Sequence, residues 1–219
     1  MNAAGLKALT DLRLYLITDR HQTLGRNLTE VVRKALEGGV RAVQLREKDL
    51  SSGELFRLAE ELRCLTTEYD ARLIINDRLD IALAVEADGV HVGVNSLPVA
   101  VVRQVLGQGK LIGYSAHEIN EALQAQADGA DFVTFSPVFH TPSKSAFGQP
   151  CGVKKLADAA AALHIPVIGL GGISLVNVAE VLSASITGIA VISAVLAAVD
   201  PRVAASSLLK KIEEYAHNS

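Results

Sequence analysis

Cationic side chains occur at two separated places in this sequence, each next to the end of an apolar run. Arg46 and Lys48 follow one such run, and Lys144 lies in a polar segment after another. The planar fork of an arginine and the mobile ammonium of a lysine together suit the oxygens of a polyphosphate. Asp77 follows a third apolar run, and its carboxylate would repel a phosphate unless a divalent cation lay between them. Because Mg²⁺ prefers hard oxygen ligands, these residues predict a diphosphate site that includes Mg²⁺.

Glycines late in the sequence indicate a second anion site. Gly171 and Gly172 follow the apolar run at residues 167–170, and the segment ISA (192–194) follows the next run. Glycine lets backbone N–H groups approach a phosphate closely, although a Gly-Gly pair also serves as an ordinary turn. The placement of these glycines after the seventh run favours a phosphate site.

Short apolar runs alternate with helical patterns along the whole chain. Residues 54–69 and 119–127, for example, have apolar side chains at helical spacing and charge on the opposite face. Neither a linker nor a shift in composition divides the sequence. We therefore expect a single α/β domain, a (β/α)₈ TIM barrel over residues 1–219 with its core at about 14–216. An open, doubly wound sheet is the competing architecture. The eight predicted strands cover residues 14–18, 42–46, 73–76, 89–92, 111–114, 132–135, 167–170 and 189–192.

A barrel explains why several of these strands end in polar side chains. The carboxyl ends of all eight strands surround one mouth, so polar groups there face a cleft and are not stranded in a core. The competing interpretation is that they are ordinary loop residues or, for Asp77 and Arg78, a local ion pair and a helix cap. Several strand ends carry donors and cations, which favours a binding site at the mouth.

The composition sets further bounds on function. The 219 residues are 49% hydrophobic and carry a net charge of −3, so no overall basic field attracts nucleic acid or an anionic membrane. No apolar run approaches the roughly 20 residues that cross a bilayer. Cys64 and Cys151 have no metal-ligand spacing and are too few for a disulfide framework, which favours a reducing compartment. We expect a cytoplasmic protein that binds small molecules, with no nucleic-acid or membrane partner. The sequence leaves open whether the protein forms a homo-oligomer.

An ordered set of motifs resembles the thiamine phosphate synthase superfamily, from about residue 15 to residue 194. This superfamily contains two activities on one barrel. The synthase couples 4-amino-5-hydroxymethyl-2-methylpyrimidine diphosphate to a thiazole phosphate and gives thiamine phosphate and diphosphate. A related thiazole tautomerase isomerises the thiazole carboxylate phosphate without a metal. The motifs are QLREK (44–48), INDR (75–78), DGVH (88–91), GYSAH (113–117), PVFHTPSK (137–144), GGI (171–173) and ISA (192–194).

The resemblance implies a role for each matching residue. In the synthase, the carbon–oxygen bond breaks early to leave a pyrimidinylmethyl cation, which the thiazole nitrogen captures. The resemblance implies that Mg²⁺ on Asp77 and four further side chains hold the diphosphate and stabilise the negative charge that grows on it. Those four are Arg46, Lys48, Asn76 and Lys144. The other expected substrate contacts are Gln44 and Ser115 for the diphosphate or pyrimidine, and Thr141, Ser143, Gly172, Ile192 and Ser193 for the thiazole phosphate.

One departure from the superfamily affects the metal. Synthases usually carry a second metal-binding aspartate after the fourth strand, where this chain has Ser96 in the segment GVNSL (93–97). The ion would then rest on Asp77, water and diphosphate oxygens. The tautomerase needs no metal and would use His117 as an acid or base, but it has no diphosphate for Arg46 to hold. We therefore expect a synthase, with a tautomerase as the alternative and a noncatalytic phosphate-binding protein as a third interpretation.

Overall fold

The structure is a computed structural model that describes residues 10–141 and 150–218. Within these residues, eight parallel strands pair in the order of the sequence, and the eighth pairs with the first, so the sheet closes into a barrel. This closure confirms the predicted TIM barrel and excludes the open sheet. The strands are β1 (Leu14–Ile17), β2 (Ala42–Leu45), β3 (Arg72–Asn76), β4 (Gly89–Val92), β5 (Leu111–Ala116), β6 (Phe132–Phe135), β7 (Val167–Leu170) and β8 (Gly188–Val191).

Helices follow the strands and cover the outside of the barrel. Ser51 fixes the start of the long helix after β2: its Oγ accepts from the N–H of Glu54, and the Glu54 carboxylate accepts from the N–H of Ser51. This reciprocal cap satisfies two donors that the helix itself leaves unpaired. No helix of the described residues is long and apolar enough to cross a membrane. The helices of those residues are α1 (Leu28–Glu37), α2 (Ser52–Glu68), α3 (Leu79–Ala84), α4 (Val99–Leu106), α5 (Ile119–Ala127), α6 (Gly152–Ala162), α7 (Val178–Leu182), α8 (Ser193–Leu196) and α9 (Pro201–Asn218), with a 3₁₀ helix at Arg20–Gln22.

Side chains of the strands alternate between two cores, because successive residues of a strand point to opposite faces of the sheet. Tyr15 and Ile17 of β1 point into the barrel, whereas Leu14 and Leu16 join the layer between the barrel and its helices. The interior is therefore a packed core and not a pore. Its buried apolar residues are Leu12, Tyr15, Ile17, Ala42, Ile74, Phe132, Ile168, Leu170 and Ala190.

Strand β5 is longer than the sequence predicted. Its pairing with β6 continues through Ser115 and Ala116, which lie opposite Thr134 and Phe135. Ser115 therefore lies within the strand and not beyond its end. The period of two directs its side chain to the same face as Gly113, towards the barrel interior.

Three other strands end one residue earlier than predicted. Thr18, Arg46 and Ile192 lie just beyond β1, β2 and β8. The backbone N–H of Thr18 still donates to the Gln44 carbonyl at 2.9 Å, so Thr18 stays close to the barrel rim.

Candidate active site

The mouth of the barrel is formed by the carboxyl ends of the strands and by the segments that follow them. Candidate residues of β2, β3 and β5 lie in these strands or directly after them, and the candidates near β7 and β8 lie in the following segments. Ser143 and Lys144 lie outside the described residues. In the closed ring, β2 and β8 are the two neighbours of β1. The two predicted anion sites therefore belong to one mouth.

Gln44 lies inside the barrel, where a tyrosine holds its side chain. Its Nε2 donates to the hydroxyl oxygen of Tyr15 at 3.0 Å, and both residues are almost fully buried. Burial raises the pKa of Tyr15, and the hydrogen bond from Gln44 offsets only part of this shift. The amide of Gln44 is thus fixed by a neutral hydroxyl.

His91 of β4 joins this pair to Ser115. Its Nδ1 lies 3.5 Å from the Tyr15 hydroxyl, and its Nε2 lies 3.1 Å from Ser115 Oγ and 3.3 Å from Thr134 Oγ1. The ring of Phe132 packs against those of Tyr15 and His91, with centroids 5.7 and 5.6 Å away. The period of two in β4 could have placed His91 inside the barrel, but nothing in the sequence pattern indicated its partners.

The segment after β2 carries the cations Arg46 and Lys48 and is fixed at two points. The N–H of Arg46 donates to Thr18 Oγ1 at 2.9 Å, which ties the segment to the end of β1. Glu47 has 2% of its side chain exposed; it accepts from the backbone N–H of Arg20 at 3.1 and 3.2 Å and from the guanidinium of Arg20 at 3.2 Å. Neither Arg46 nor Lys48 forms an ion pair within the described residues. Their charges are therefore available to an anionic ligand.

Asp49 holds the other side of Arg20. Its two carboxylate oxygens accept from the guanidinium at 2.5 and 2.6 Å, and one of them lies 3.0 Å from Nε2 of His21. The hydrogen bonds from Arg20 and then His21 hold the pKa of the Asp49 carboxyl well below its usual range. These contacts join the 3₁₀ helix after β1 to the cationic segment after β2.

Asn76 and Asp77 lie at the end of β3, where a metal is expected. Asp77 is exposed, has a left-handed φ of 65° and donates its N–H to the His91 carbonyl at 2.9 Å. Ser96 Oγ accepts from the N–H of Gly93 at 2.9 Å and so closes the turn after β4. Among the described residues, no group of three or more His, Cys, Asp or Glu side chains could hold a metal. One carboxylate fits Mg²⁺ only when a substrate and water supply the remaining oxygens.

His117, directly after β5, is anchored to the residue directly after β6. Its Nδ1 lies 2.7 Å from the carbonyl oxygen of Ser136, and because a carbonyl only accepts, Nδ1 carries the proton. The backbone N–H of His117 donates to the Glu121 carboxylate at 2.8 Å. These contacts fix the turn after β5 and support a loop-ordering role for His117.

A cavity of about 300 Å³ lies at the ends of β7 and β8. Gln22, from the 3₁₀ helix after β1, and His140, from the segment after β6, contribute to its wall. The sequence pattern indicated no role for either residue. Four residues expected to contact the thiazole phosphate line this cavity: Thr141, Gly172, Ile192 and Ser193.

The glycines at this cavity also let two segments pack closely. Gly171 and Gly172 have φ values of 107° and 65°, and a Cβ on Gly172 would lie 2.8 Å from Phe139 Cβ and 2.9 Å from the His140 carbonyl oxygen. Nδ2 of Asn177 donates to the Gly172 carbonyl at 3.0 Å and so holds the turn from the other side. The sequence pattern did not single out Asn177.

A larger cavity, of about 590 Å³, has Arg20 and Leu50 in its wall. It is formed by the segment after β1 and by α2, and side chains of both charges, such as Arg57 and Glu61, line it. Its walls contain none of the predicted substrate contacts. We place the candidate site at the mouth, where buried polar groups, cations that form no ion pair with a described residue, and a glycine-lined cavity occur together.

A TIM barrel with cations after β2 and a glycine-lined cavity after β7 and β8 has the features that are typical of barrels that bind phosphorylated small molecules. The family model of thiamine monophosphate synthase matches residues 14–195, and the chain belongs to this family. A protein of Geobacter sulfurreducens is 55% identical over 202 residues, which cover 92% of this chain and 95% of that protein. Thiamine-phosphate synthase of Desulfitobacterium hafniense is 44% identical over 199 residues, or 91% of this chain and 96% of the relative.

A solved structure agrees with these relatives. Thiamine phosphate pyrophosphorylase from Pyrococcus furiosus superimposes with a TM-score of 0.88 at 40% identity, and the match covers 95% of this chain and 98% of that one. The likeness thus extends over the whole barrel.

Proposed function

We propose that this protein is a thiamine-phosphate synthase, a transferase that couples 4-amino-5-hydroxymethyl-2-methylpyrimidine diphosphate to thiazole phosphate and releases diphosphate. The family match and the full-length relatives support the activity. The structural observation that carries the assignment is the pair Arg46 and Lys48, held at the mouth without a counter-ion among the described residues. A tautomerase has no diphosphate that would use these charges.

The proposed reaction needs the growing charge on the leaving diphosphate to be stabilised as the carbon–oxygen bond breaks. Arg46 and Lys48 would supply the opposing positive charge from a segment that Thr18 and Glu47 already hold in place, so little reorganisation is needed during the reaction. The role of Lys144 in the same task is a proposal from the family motif alone. The thiazole nitrogen then bonds to the pyrimidinylmethyl carbon.

The thiazole phosphate would bind in the cavity at the ends of β7 and β8. Backbone N–H groups near Gly172 and the hydroxyl of Ser193 are donors suited to its phosphate oxygens. Thr141 and Ile192 line the same cavity and would contact the ring or the phosphate, together with Ser143. Gln22 of this cavity belongs to the 3₁₀ helix whose Arg20 contacts Glu47 in the segment after β2, so the two substrates would meet at the mouth.

Mg²⁺ is proposed to bind through Asp77 and to neutralise charge on the diphosphate. Ser96 cannot supply a second carboxylate, and its hydroxyl already accepts from the N–H of Gly93. We therefore propose that the ion binds weakly to the free protein and more tightly with the diphosphate substrate. A cytoplasmic location is also our proposal, supported by the free cysteines Cys64 and Cys151.

Two parallel assays test this function. Purified protein is given both substrates with Mg²⁺ or with chelator, and thiamine phosphate is measured; we expect synthesis with the metal only. Arg46→Ala should weaken diphosphate binding by about tenfold to a hundredfold, the cost of about 1.5 to 3 kcal/mol for a charge-assisted contact. Arg57→Ala is the matched control, because Arg57 is an exposed cation at the larger cavity outside the mouth.

The same preparation also tests the tautomerase. A protein that makes no thiamine phosphate at millimolar Mg²⁺ but isomerises the thiazole carboxylate phosphate in chelator would refute the proposed function. In that case His117→Ala would be the damaging substitution, and Arg46→Ala would leave isomerisation unchanged.

A further inference from the structure

A chain of polar groups, all buried except the half-buried Ser115, crosses the interior of the barrel beneath its mouth. It runs from Gln44 through the Tyr15 hydroxyl and the His91 ring to Ser115 and Thr134, and so joins five strands. Gln44 and Ser115 are the two residues expected to contact the pyrimidine diphosphate. The residues between them have no assigned role.

The donors and acceptors of this chain fit together in one order. Tyr15 is fully buried, and because burial raises its pKa it remains a hydroxyl with one proton to donate. Its oxygen accepts from Gln44 Nε2, and the acceptor within reach of its proton among the described residues is Nδ1 of His91, at a long 3.5 Å. Since buried hydroxyls are rarely left undonated, Nδ1 is unprotonated and the ring proton lies on Nε2. That proton points towards the oxygens of Ser115 and Thr134.

This order determines which end of the Gln44 amide a ligand meets. Nε2 is committed to Tyr15, and no described residue donates to Oε1. Among the described residues, every fully buried side-chain oxygen or nitrogen has a hydrogen-bond partner. Because Oε1 has no such partner there, it must be accessible from open space, although Gln44 as a whole is only 1% exposed. A carbonyl oxygen accepts a hydrogen bond from an amino group and repels another carbonyl oxygen.

The absence of a side chain at Gly113 leaves room for the His91 ring. Gly113 lies opposite His91 in the register of β4 and β5, and a Cβ there would collide with Nδ1 of His91 and with the ring of Phe132. The rings of Tyr15, His91 and Phe132 pack with centroids 5.6 to 5.9 Å apart. Packing on both sides therefore holds the imidazole in one orientation.

From these contacts we propose that His91 is a positioning residue that sets substrate selection. By accepting from Tyr15 it keeps Oε1 of Gln44 turned towards the substrate, and the pocket then prefers an amino-substituted pyrimidine diphosphate to its oxo-substituted analogue. His91 acts through Tyr15 and Gln44 and does not need to touch the substrate. The proposal rests on the proposed function and deepens it.

Three variants distinguish the Nδ1 side of the His91 ring, which faces Tyr15, from the Nε2 side, which faces Ser115 and Thr134. Tyr15→Phe removes the hydroxyl that holds Gln44, so the amide can rotate; we expect the ratio of kcat/KM for the amino and oxo substrates to fall by about fivefold to tenfold, the worth of one hydrogen bond. His91→Asn places an amide oxygen about where Nδ1 lies and should preserve this ratio. His91→Gln places its amide about where Nε2 lies, leaves Tyr15 without its acceptor and should lower the ratio.

A matched control and a second readout exclude a merely structural effect. Thr66→Val removes a hydroxyl that is equally buried but donates to the Arg63 carbonyl on α2, so the ratio should stay at the wild-type value. The KM for thiazole phosphate should not change in Tyr15→Phe, whereas general misfolding would raise it. A folded Tyr15→Phe protein with the wild-type preference for the amino substrate would overturn the proposal.

One measurement is independent of turnover. Long-range proton–nitrogen NMR of isotope-labelled protein reports which ring nitrogen of His91 carries the proton, with the His91→Gln variant as the assignment control. A proton on Nε2 supports the proposal, and a proton on Nδ1 or a doubly protonated ring overturns it. If the wild type makes no thiamine phosphate, the proposed function fails in its own assay. The NMR result and calorimetric binding of the amino and oxo diphosphates still decide the role of His91.

Discussion

Glu47 lies between Arg46 and Lys48 in the sequence, but its carboxylate contacts Arg20. We therefore predict that removing this carboxylate lowers the stability of the protein and weakens binding of the pyrimidine diphosphate. Its carboxylate accepts from Arg20 through three contacts of 3.1 to 3.2 Å, and 2% of its side chain is exposed. Glu47→Ala removes all three and leaves the backbone N–H of Arg20 without this acceptor. The cationic segment then keeps one fixed point, the bond from Arg46 to Thr18.

The size of the effect follows from these contacts. Breaking a fully buried ion pair costs about 3 to 5 kcal/mol because a charge is left unpaired. Arg20 is 31% exposed and keeps both bonds to Asp49, so the cost should be lower, about 2 to 3 kcal/mol. For a chain of this length that corresponds to a fall in Tm of about 4 to 12 °C. Glu47→Gln keeps one acceptor oxygen and should lose about 1 kcal/mol.

Urea unfolding and steady-state kinetics of the same proteins check this prediction. Glu68→Ala is the matched control, since Glu68 also pairs with an arginine, Arg33 at 3.1 Å, but has 56% of its side chain exposed. Such surface pairs contribute about 0 to 1 kcal/mol. We expect Glu47→Ala to raise the KM for pyrimidine diphosphate and to leave that for thiazole phosphate unchanged. A Glu47→Ala protein as stable as Glu68→Ala, with both KM values unchanged, would refute the reasoning.

Three further predictions concern other parts of the mouth. Gly172→Ala should raise the KM for thiazole phosphate and destabilise the protein more than Gly25→Ala, because both glycines have positive φ but a Cβ on Gly25 would meet nothing within 4 Å; equal unfolding free energies would contradict this. Ser96→Asp should lower the Mg²⁺ concentration for half-maximal synthesis, and an unchanged or higher value in a metal titration would show that the side chain does not reach the ion. Asp49 has a pKa held low by Arg20, so its stabilising effect is present above its unfolded pKa of about 4 and is lost as the pH falls towards the lowered value. Asp49→Asn should therefore lose less stability than wild type on acidification in that range, and parallel unfolding curves would count against the assignment.

The periodicity of the chain was enough to predict the barrel. Apolar runs at regular intervals gave all eight strands, and the period of two is sufficient to place Gln44 on the inner face of β2. Pattern rules work here because the fold depends on burial, which repeats along the sequence. The length of β5 was underestimated because Ser115 looks like a loop residue, although its pairing opposite Thr134 continues the strand.

The contacts within the site could not be read in the same way. Glu47 meets Arg20, which is 27 positions earlier, and Gln44 meets Tyr15, which is 29 positions earlier. Such pairs depend on which segments the closed sheet makes neighbours and on side-chain directions that periodicity does not specify. Ser96 illustrates the same limit, because the sequence shows a missing carboxylate but not that the hydroxyl closes a turn.

The missing side chain at Gly113 ties three positions on neighbouring strands into one evolutionary unit. The rings of His91 and Phe132 both occupy volume that a methyl group at position 113 would need. Relatives with alanine or a larger residue at the position of Gly113 should therefore carry side chains smaller than histidine and phenylalanine at the positions of His91 and Phe132. The order of mutation matters as well, since a lineage that shrinks positions 91 and 132 first can later enlarge position 113, whereas the reverse order passes through a collision. In a library that randomises all three positions, the volume at position 113 in the surviving variants should be anticorrelated with the volumes at positions 91 and 132, so a redesign of this pocket should exchange the three residues together.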